Sequence, residues 1–458
     1  MPKLSRDAAA VLLLIGIVSL FFLREIATDE TLVTFRLSHV YPWLSEASEE
    51  EVQKPSITSD CTFSYYPRRV FATRLIRQGQ VPFWNPHQFC GTPFFANFQS
   101  AVFYPINLVL YGFDPPTQMD LFIYIHFLIA AIFTFLLARK LGISTGGSLI
   151  ASLAFTFCTF MTTRYGQPTF ISTASWLPAL ILLGEHLREQ PNWRRAGLLV
   201  VGLVFCILSG FPQLVIFNTY ALITYMIVRG LVERDRTEHR WYIPLGYLLV
   251  AIGIAGLICS YQLLPTYELS KFSFRKTLPY RMIASSAHSG FAALKYLIPD
   301  ILGNPVDLGP ISKMLHAARG GSVFAKNYVS TMGYVGILPL LLAVISLCKP
   351  SRKMLPFAVL AAISVLAVFG TGLLRILYHL PGFNFSRIDR LIVVYMFSFA
   401  ILAGHGFDIV GSGKHRIVGI VALCFAVVAG LLTYWLVQGG IDSIVSRASL
   451  GTSIDVYR

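Results

Sequence analysis

Charged side chains are scarce in this chain, and the most informative set able to do chemistry lies between residues 59 and 105. Ser59-Asp60 leads into Tyr65-Tyr66-Pro67-Arg68, and a short amphipathic segment follows. At helical spacing Phe71, Ala72, Leu75 and Ile76 share one face, with Arg74 and Arg77 opposite. That pattern predicts a helix lying flat on a membrane surface. Gly79 ends it, and Pro82-Phe83-Trp84-Asn85-Pro86 opens an irregular, aromatic stretch. An acid just ahead of such a helix sits at the water–lipid boundary, where a lipid-linked substrate presents its head group. A partly desolvated carboxylate there is a suitable base for an attacking hydroxyl.

Fixed cations stabilise a departing phosphate, and arginine suits it because its planar fork donates two parallel hydrogen bonds. Arg387 and Arg390 are three apart at the mouth of an apolar run and share a face if helical. Arg275 and Arg68 are further candidates. Each has a plainer reading. Asp60 caps the following helix or pairs with Arg68 or Arg69, and Arg387 and Arg390 snorkel to lipid phosphates. Glu268, a candidate for binding an acceptor, pairs instead with Lys271 or Arg275. Asp29-Glu30 rivals Asp60. His126 and His405 fall within apolar runs, where an ionisable group is a functional hypothesis by default, set against a neutral imidazole satisfied by a neighbouring helix. The aromatics from Trp84 to Phe103 read as loop core or as sugar platforms. Gly320-Gly321 is a flexible point, with no phosphate-cradling loop around it.

The elements that must position these residues are membrane spans. Of 458 residues 55% are apolar and only 13% charged, about half the charge of a soluble domain. Runs of about 20 apolar residues are needed to span a bilayer. They are read at Ala8–Leu23, Met119–Ala138, Thr145–Thr163, Thr169–Leu187, Ala196–Gly210, Pro212–Val228, Tyr242–Leu264, Tyr328–Leu347, Leu355–Gly370, Leu391–Val410 and Ile417–Val437. The pair flanking Phe211-Pro212 is either one broken helix or a tight hairpin. The expectation is an all-α integral membrane protein of about eleven transmembrane helices. It has one polytopic domain over 1–437, exterior loops at 24–118, 265–327 and 371–390, and a short exterior tail at 438–458.

Lys3 and Arg6, Arg139-Lys140, Arg188 with Arg194-Arg195, Arg229 to Arg240, Lys349 with Arg352-Lys353, and Lys414 with Arg416 fill every second connection. This positive-inside alternation predicts a cytoplasmic N-terminus, with Trp193, Trp241 and Trp435 as interfacial anchors. The net charge of +14 then faces anionic lipid, and no basic module for nucleic acid is present. Arg24-Glu25-Ile26-Ala27 makes a poor cleavage site, so the first span is an anchor. Five of the seven cysteines lie in or beside apolar runs, while Cys61 and Cys90 share the first exterior loop and could form a disulfide. No metal spacing of Cys or His is present, and no internal repeat of the kind transporters carry.

The string Asp60…Tyr65-Tyr66-Pro67-Arg68, Gly79, Pro82, Trp84-Asn85-Pro86, Phe89-Cys90-Gly91-Thr92-Pro93, Ala96-Asn97, Gln99-Ser100-Ala101 and Tyr104-Pro105 resembles the YfhO family of bacterial membrane proteins. Trp176-Leu177-Pro178, Gln262-Leu263-Leu264-Pro265 with Glu268 and Arg275, Tyr334-Val335-Gly336-Ile337-Leu338-Pro339, and Pro381-Gly382-Phe383 with Arg387 and Arg390 extend the resemblance over about residues 8 to 410. It implies a GT-C-like fold and a glycosyltransferase of the inner, cytoplasmic membrane of a bacterium. Such an enzyme takes a sugar from a polyprenyl-phosphate carrier to an exterior glycan or lipid acceptor. Asp60 matches the acidic residue of the first exterior loop. Arg387, Arg390, Arg275 and Arg68 are implied at the donor phosphate, and Glu268, Tyr65, Tyr66, Trp84, Asn85, Asn97 and Gln99 in substrate binding. Some superfamily members bind a divalent metal, but no second acid stands beside Asp60 to hold one. The chain is shorter than many relatives, and Asp389 replaces the usual small residue or Pro, where it can neutralise one arginine.

Overall fold

The computed structural model describes residues 5–28, 30–33, 60–236, 239–273, 277–301, 328–349 and 351–413. The expected last span, the C-terminal tail, Asp29, Arg275, Gly320-Gly321, Trp435 and Cys424 lie outside the described residues. The longer helices are α1 (Arg6–Phe21), α2 (Tyr66–Arg77), α3 (Pro115–Lys140), α4 (Thr145–Thr156), α5 (Pro168–Glu189), α6 (Trp193–Leu208) and α7 (Pro212–Val232). They continue with α8 (Ile243–Ile258), α9 (Ser260–Ser270), α10 (Ile337–Cys348), α11 (Leu355–Val368), α12 (Gly372–Tyr378) and α13 (Ile392–Gly411). Two two-residue strands, Trp84–Asn85 and Thr92–Pro93, pair antiparallel within the first loop. Among the described residues 5 helices are long and apolar enough to cross a membrane, or up to 7 if each bent pair is one span. This is a multi-pass, all-α membrane architecture.

Local sequence sets the helix starts. Asp114 accepts from the Thr117 amide at 3.3 Å ahead of Pro115, Ser144 from Gly147 at 3.0 Å, and Asn192 from Arg195 at 3.0 Å. Each side chain satisfies an amide that the first helical turn leaves open. Pro168 and Pro212 open α5 and α7, where a missing N–H costs nothing. Packing between helices relies on glycine. A Cβ at Gly147 would meet the Gly404 carbonyl at 2.4 Å, and one at Gly406 the Leu342 carbonyl at 1.9 Å. Backbones of α4, α10 and α13 therefore touch directly, as small residues permit where no hydrophobic force separates helix from lipid.

Alternate connections gather at opposite ends. At one end Arg139 pairs with Asp7, Lys140 with Glu189, and Lys353 reaches the Leu141 carbonyl at 3.1 Å. At the other, Tyr65 meets Thr169, Arg164 meets Val329, and Gln213 meets the Phe385 carbonyl. The basic loops of the sequence thus share the first end, called here the basic end. Arg195 of α6 bonds the His186 carbonyl and Arg229 of α7 pairs with Glu185, so both helices return to the basic end. The Phe211-Pro212 pair is a hairpin, turned by Gly210 at φ +103°.

Two expected spans are altered, and the loop after a third is partly helical. The run Tyr242–Leu264 bends by 76° between α8 and α9. The break falls at Cys259, and just past it Gln262 and Thr266 of α9 bond the Phe95 and Ala96 carbonyls of the first loop. The run Leu355–Gly370 ends where expected: α11 stops at Val368, Gly370 takes φ +71°, and the chain turns by 96° into α12. Residues 372–378, expected as loop, are helical. Tyr328–Leu347 is α-helical only from Ile337, after a 3₁₀ turn at Tyr328–Thr331, because Gly336 at φ +100° cannot continue a helix and Gly333 lies where a Cβ would strike the Tyr296 ring.

Candidate functional site

The amphipathic segment after Asp60 is a helix, α2, with a π-helical turn at Cys61–Tyr65 leading into it. Its apolar residues pack inward: Ala72 is buried, and Phe71 and Ile76 pack with Phe94, Phe95 and Val102 of the loop. Arg77, expected on the polar face, reaches back to the Tyr111 and Phe113 carbonyls at 2.9 and 2.6 Å. Thr73 and Arg69 bond Gln118 of α3. The helix is tied to the bundle as much by its polar side chains as by its apolar ones.

Asp60 is exposed at the start of this turn and makes no capping hydrogen bond. Neither plain reading holds, since it forms no ion pair with Arg68 or Arg69 among the described residues. Its carboxylate accepts from the Gln167 side-chain amide, just ahead of α5. Gln167 in turn accepts from Arg164 at 3.0 Å. Arg164 is only 3% exposed and lies between the Phe160 and Phe170 rings at 4.3 and 4.7 Å. Its other terminal nitrogen reaches the Val329 carbonyl at 3.3 Å, and its Nε has no hydrogen-bond partner. No carboxylate stands within ion-pair distance of it among the described residues. Burial, helped by the Arg390 guanidinium nearby, pushes its pKa down to about 9.

Arg390 sits over Phe170 at 4.9 Å and over Phe211 at 5.0 Å, bonded to Gln213. Arg387 behaves differently. It holds Asp389, 1% exposed, through two bonds of 3.2 and 3.0 Å. Residues 388–391 form a 3₁₀ turn with Arg387 extended ahead of it, so the two arginines do not share a helix face. Asp389 pairs with Arg387, while Arg390 shares the Phe170 ring with Arg164.

Tyr65, Arg68 and Gln99 come together around a cavity of about 20 Å³ that Arg69, Asn107 and Thr169 also line. That volume holds roughly one water molecule and is too small for a phosphate. Arg68 donates to Gln99 at 3.3 Å, and Arg69 to Asn107 at 3.1 Å. Burial lowers the pKa of both guanidiniums, that of Arg69 to about 10. Burial likewise raises Tyr65 to about 12, with its hydroxyl 3.0 Å from Thr169, so the phenol stays protonated. Tyr66 packs against the Cys61, Tyr65 and Met119 cluster.

The remaining candidates separate. Asn85 and Asn97 accept from the His87 and Gln99 amides at 3.0 and 3.1 Å, which makes them turn formers. Trp84 is 54% exposed and lies on Gly91, whose φ of +119° and missing Cβ admit the indole. Phe94, Phe95 and Tyr104 are buried, whereas Phe83 and Phe89 are exposed, so the aromatic stretch is loop core only in part. Glu268 is exposed on α9, and Lys271 lies over the Tyr267 ring rather than on it. Glu30 pairs with Arg24. His126 accepts from Tyr104 at 2.7 Å and donates to the Phe122 carbonyl, a satisfied neutral ring. His405 meets Ser346 at 2.9 Å. Cys61 is buried and Cys90 is exposed, and no disulfide joins them. No group of three potential metal ligands occurs among the described residues.

A roomier cavity of about 440 Å³ lies at the basic end, lined by Gly142, Glu233, Arg352, Lys353 and His405. It contains none of the acid and arginine constellation, so volume is a poor guide to the chemistry here. Sequence reasoning passed over Arg164 and Gln167, which stand in a short link where single polar residues read as interfacial. Comparison of the sequence with protein-family models and with curated proteins gave no match.

Proposed function

We propose that this chain is a membrane glycosyltransferase. It moves a sugar from a polyprenyl-phosphate carrier to a glycan or lipid acceptor on the non-cytoplasmic side. The observation that carries the reading is the Asp60 carboxylate, exposed, free of ion pairs and next to a cluster of arginines at one end of the bundle. A base needs access to its acceptor and no cation bound in its place. Arg390, on the rim formed with Phe170 and Phe211, is the donor-phosphate ligand in this account. Arg387 supports the turn that carries it by holding Asp389. Trp84 offers an exposed aromatic face beside the loop, a surface on which a sugar ring can stack.

The alternation of basic connections puts the Asp60 end outside and the N-terminus inside. The full topology is then about eleven spans, with α2 lying along the outer surface, in a bacterial cytoplasmic membrane. The resemblance to the YfhO family supports the same assignment through Asp60…Tyr65-Tyr66-Pro67-Arg68 and the aromatic stretch after it. The test is incubation of purified protein with a panel of radiolabelled polyprenyl-phosphate sugars. Release or transfer of label is the expected result. Binding of the carrier without turnover of any donor points instead to a lipid-linked glycan flippase, and absence of both to a non-catalytic scaffold.

A further inference from the structure

We infer that Arg164 is the positioning residue for Asp60 and acts through the side-chain amide of Gln167. The relation follows from what each group is able to offer. A primary amide presents either donors or an acceptor to a neighbour, according to which way it is turned. A guanidinium has donors only, so Arg164 Nη1 holds the Gln167 Oε1, 3.0 Å away. The opposite end of the amide, its NH₂, is then the end that meets the Asp60 Oδ2. Turned over, the amide would set its oxygen against the carboxylate and its NH₂ against the guanidinium, and both contacts would be repulsive.

Arg164 is well placed to enforce that choice. Two phenylalanine rings and the Val329 carbonyl fix its plane; Asp389 acts on its charge from a distance, and no carboxylate among the described residues is within ion-pair reach of it. A buried cation without an anion is costly, and a side chain such as methionine would fill the same space without the cost. What the charge accomplishes here is local: it orients Gln167, which holds one oxygen of Asp60 and leaves the other open to an incoming hydroxyl. Arg164 touches no reacting atom in this scheme. The inference rests on the proposed function only in calling Asp60 the reacting acid, and the test reads the geometry without turnover.

The test is labelling of Asp60 by a water-soluble carbodiimide with glycine ethyl ester, followed by mass spectrometry across pH 5 to 8. The carbodiimide must reach a carboxyl oxygen, and the Gln167 NH₂ held on Asp60 Oδ2 stands in its way. Arg164→Met and Gln167→Met are each expected to raise labelling about tenfold at neutral pH, the size of one lost hydrogen bond to a charged group. Arg164→Lys, which keeps a charge and a donor for Gln167, stays within about twofold of the parent protein. In the double variant Arg164→Met adds nothing to Gln167→Met, as befits two residues acting in series. Unchanged labelling in Gln167→Met, or a full effect of Arg164→Met in the Gln167→Met background, overturns the inference. Should Arg164→Met not fold, Arg164→Lys with and without Gln167→Met makes the same comparison. Labelling as expected in a protein that turns over no donor would refute the catalytic reading of Asp60 and leave the positioning relation standing.

Discussion

Replacing Glu185 tests how the basic end of the bundle is held. Its carboxylate is 2% exposed and accepts four hydrogen bonds: two from Arg188 at 3.0 and 2.8 Å, one from Arg229 at 3.0 Å and one from Tyr225 at 2.9 Å. Glu233 completes the set, 3.4 Å from Arg188 and 2.5 Å from Arg229. Two acids balance two cations, and α5, α7 and the turn after α7 are joined through them. Glu185→Leu leaves two guanidiniums on one carboxylate in a place that water hardly reaches. Losing one partner of a buried pair costs about 3–5 kcal/mol, or roughly two to three and a half decades in the unfolding equilibrium. Glu185→Leu with Arg188→Leu restores the balance, leaving Arg229 on Glu233, and is expected to recover more than half of the loss. The assay is equilibrium unfolding in detergent, followed with a thiol-reactive fluorogenic dye, because Cys61, Cys158, Cys206 and Cys259 are buried in the native fold. A Glu185→Leu midpoint equal to that of the parent, or a double variant weaker than the single one, would refute this charge-balance reasoning.

Further outcomes follow from individual contacts. Arg387→Gln leaves the buried Asp389 carboxylate without its cation and is expected to cost about 3 kcal/mol of stability; in the folded fraction, affinity for polyprenyl phosphate stays within about twofold, as read by a binding titration. Gly406→Ala drives a methyl into the Leu342 carbonyl, 1.9 Å from the position a Cβ would take. Because the neighbour is backbone, the loss is expected at the upper end of the overpacking range, about 3 kcal/mol, visible as a lowered unfolding midpoint. A maleimide is expected to label Cys90 in the native protein and Cys61 only after unfolding, with no mobility change on reduction. Labelling of neither under native conditions would indicate a Cys61–Cys90 disulfide and contradict the free thiols.

Much of the scaffold was legible because it depends on local pattern. Hydropathy located helices within a few residues of α3, α5, α7 and α13, and the spacing of Phe71, Ala72, Leu75 and Ile76 marked α2. The end of α11 near Gly370 was legible, whereas the bend after Ile258 was not, since apolar sequence runs on through it. That bend depends on tertiary partners, the loop carbonyls that Gln262 and Thr266 find. The site divides in the same way. Asp60 stood out as an acid ahead of an amphipathic helix, whereas Arg164 looked like any basic residue at a helix end. Its burial between Phe160 and Phe170 is set by the packing of three chain segments, which spacing does not encode. Glu185, Arg188 and Arg229 were read as span end or loop charges, and their mutual satisfaction explains how a helix carries them into the interior.

The central claim is that Asp60 is the base of a transfer from a lipid-phosphate sugar. Its most direct test sets the parent protein beside Asp60→Asn, measuring polyprenyl-phosphate binding and sugar release in the same preparations. Asparagine keeps the size of the side chain and an acceptor for Gln167, so the fold and carrier affinity are expected to be retained while release is abolished. Equal release by both proteins would contradict the claim outright.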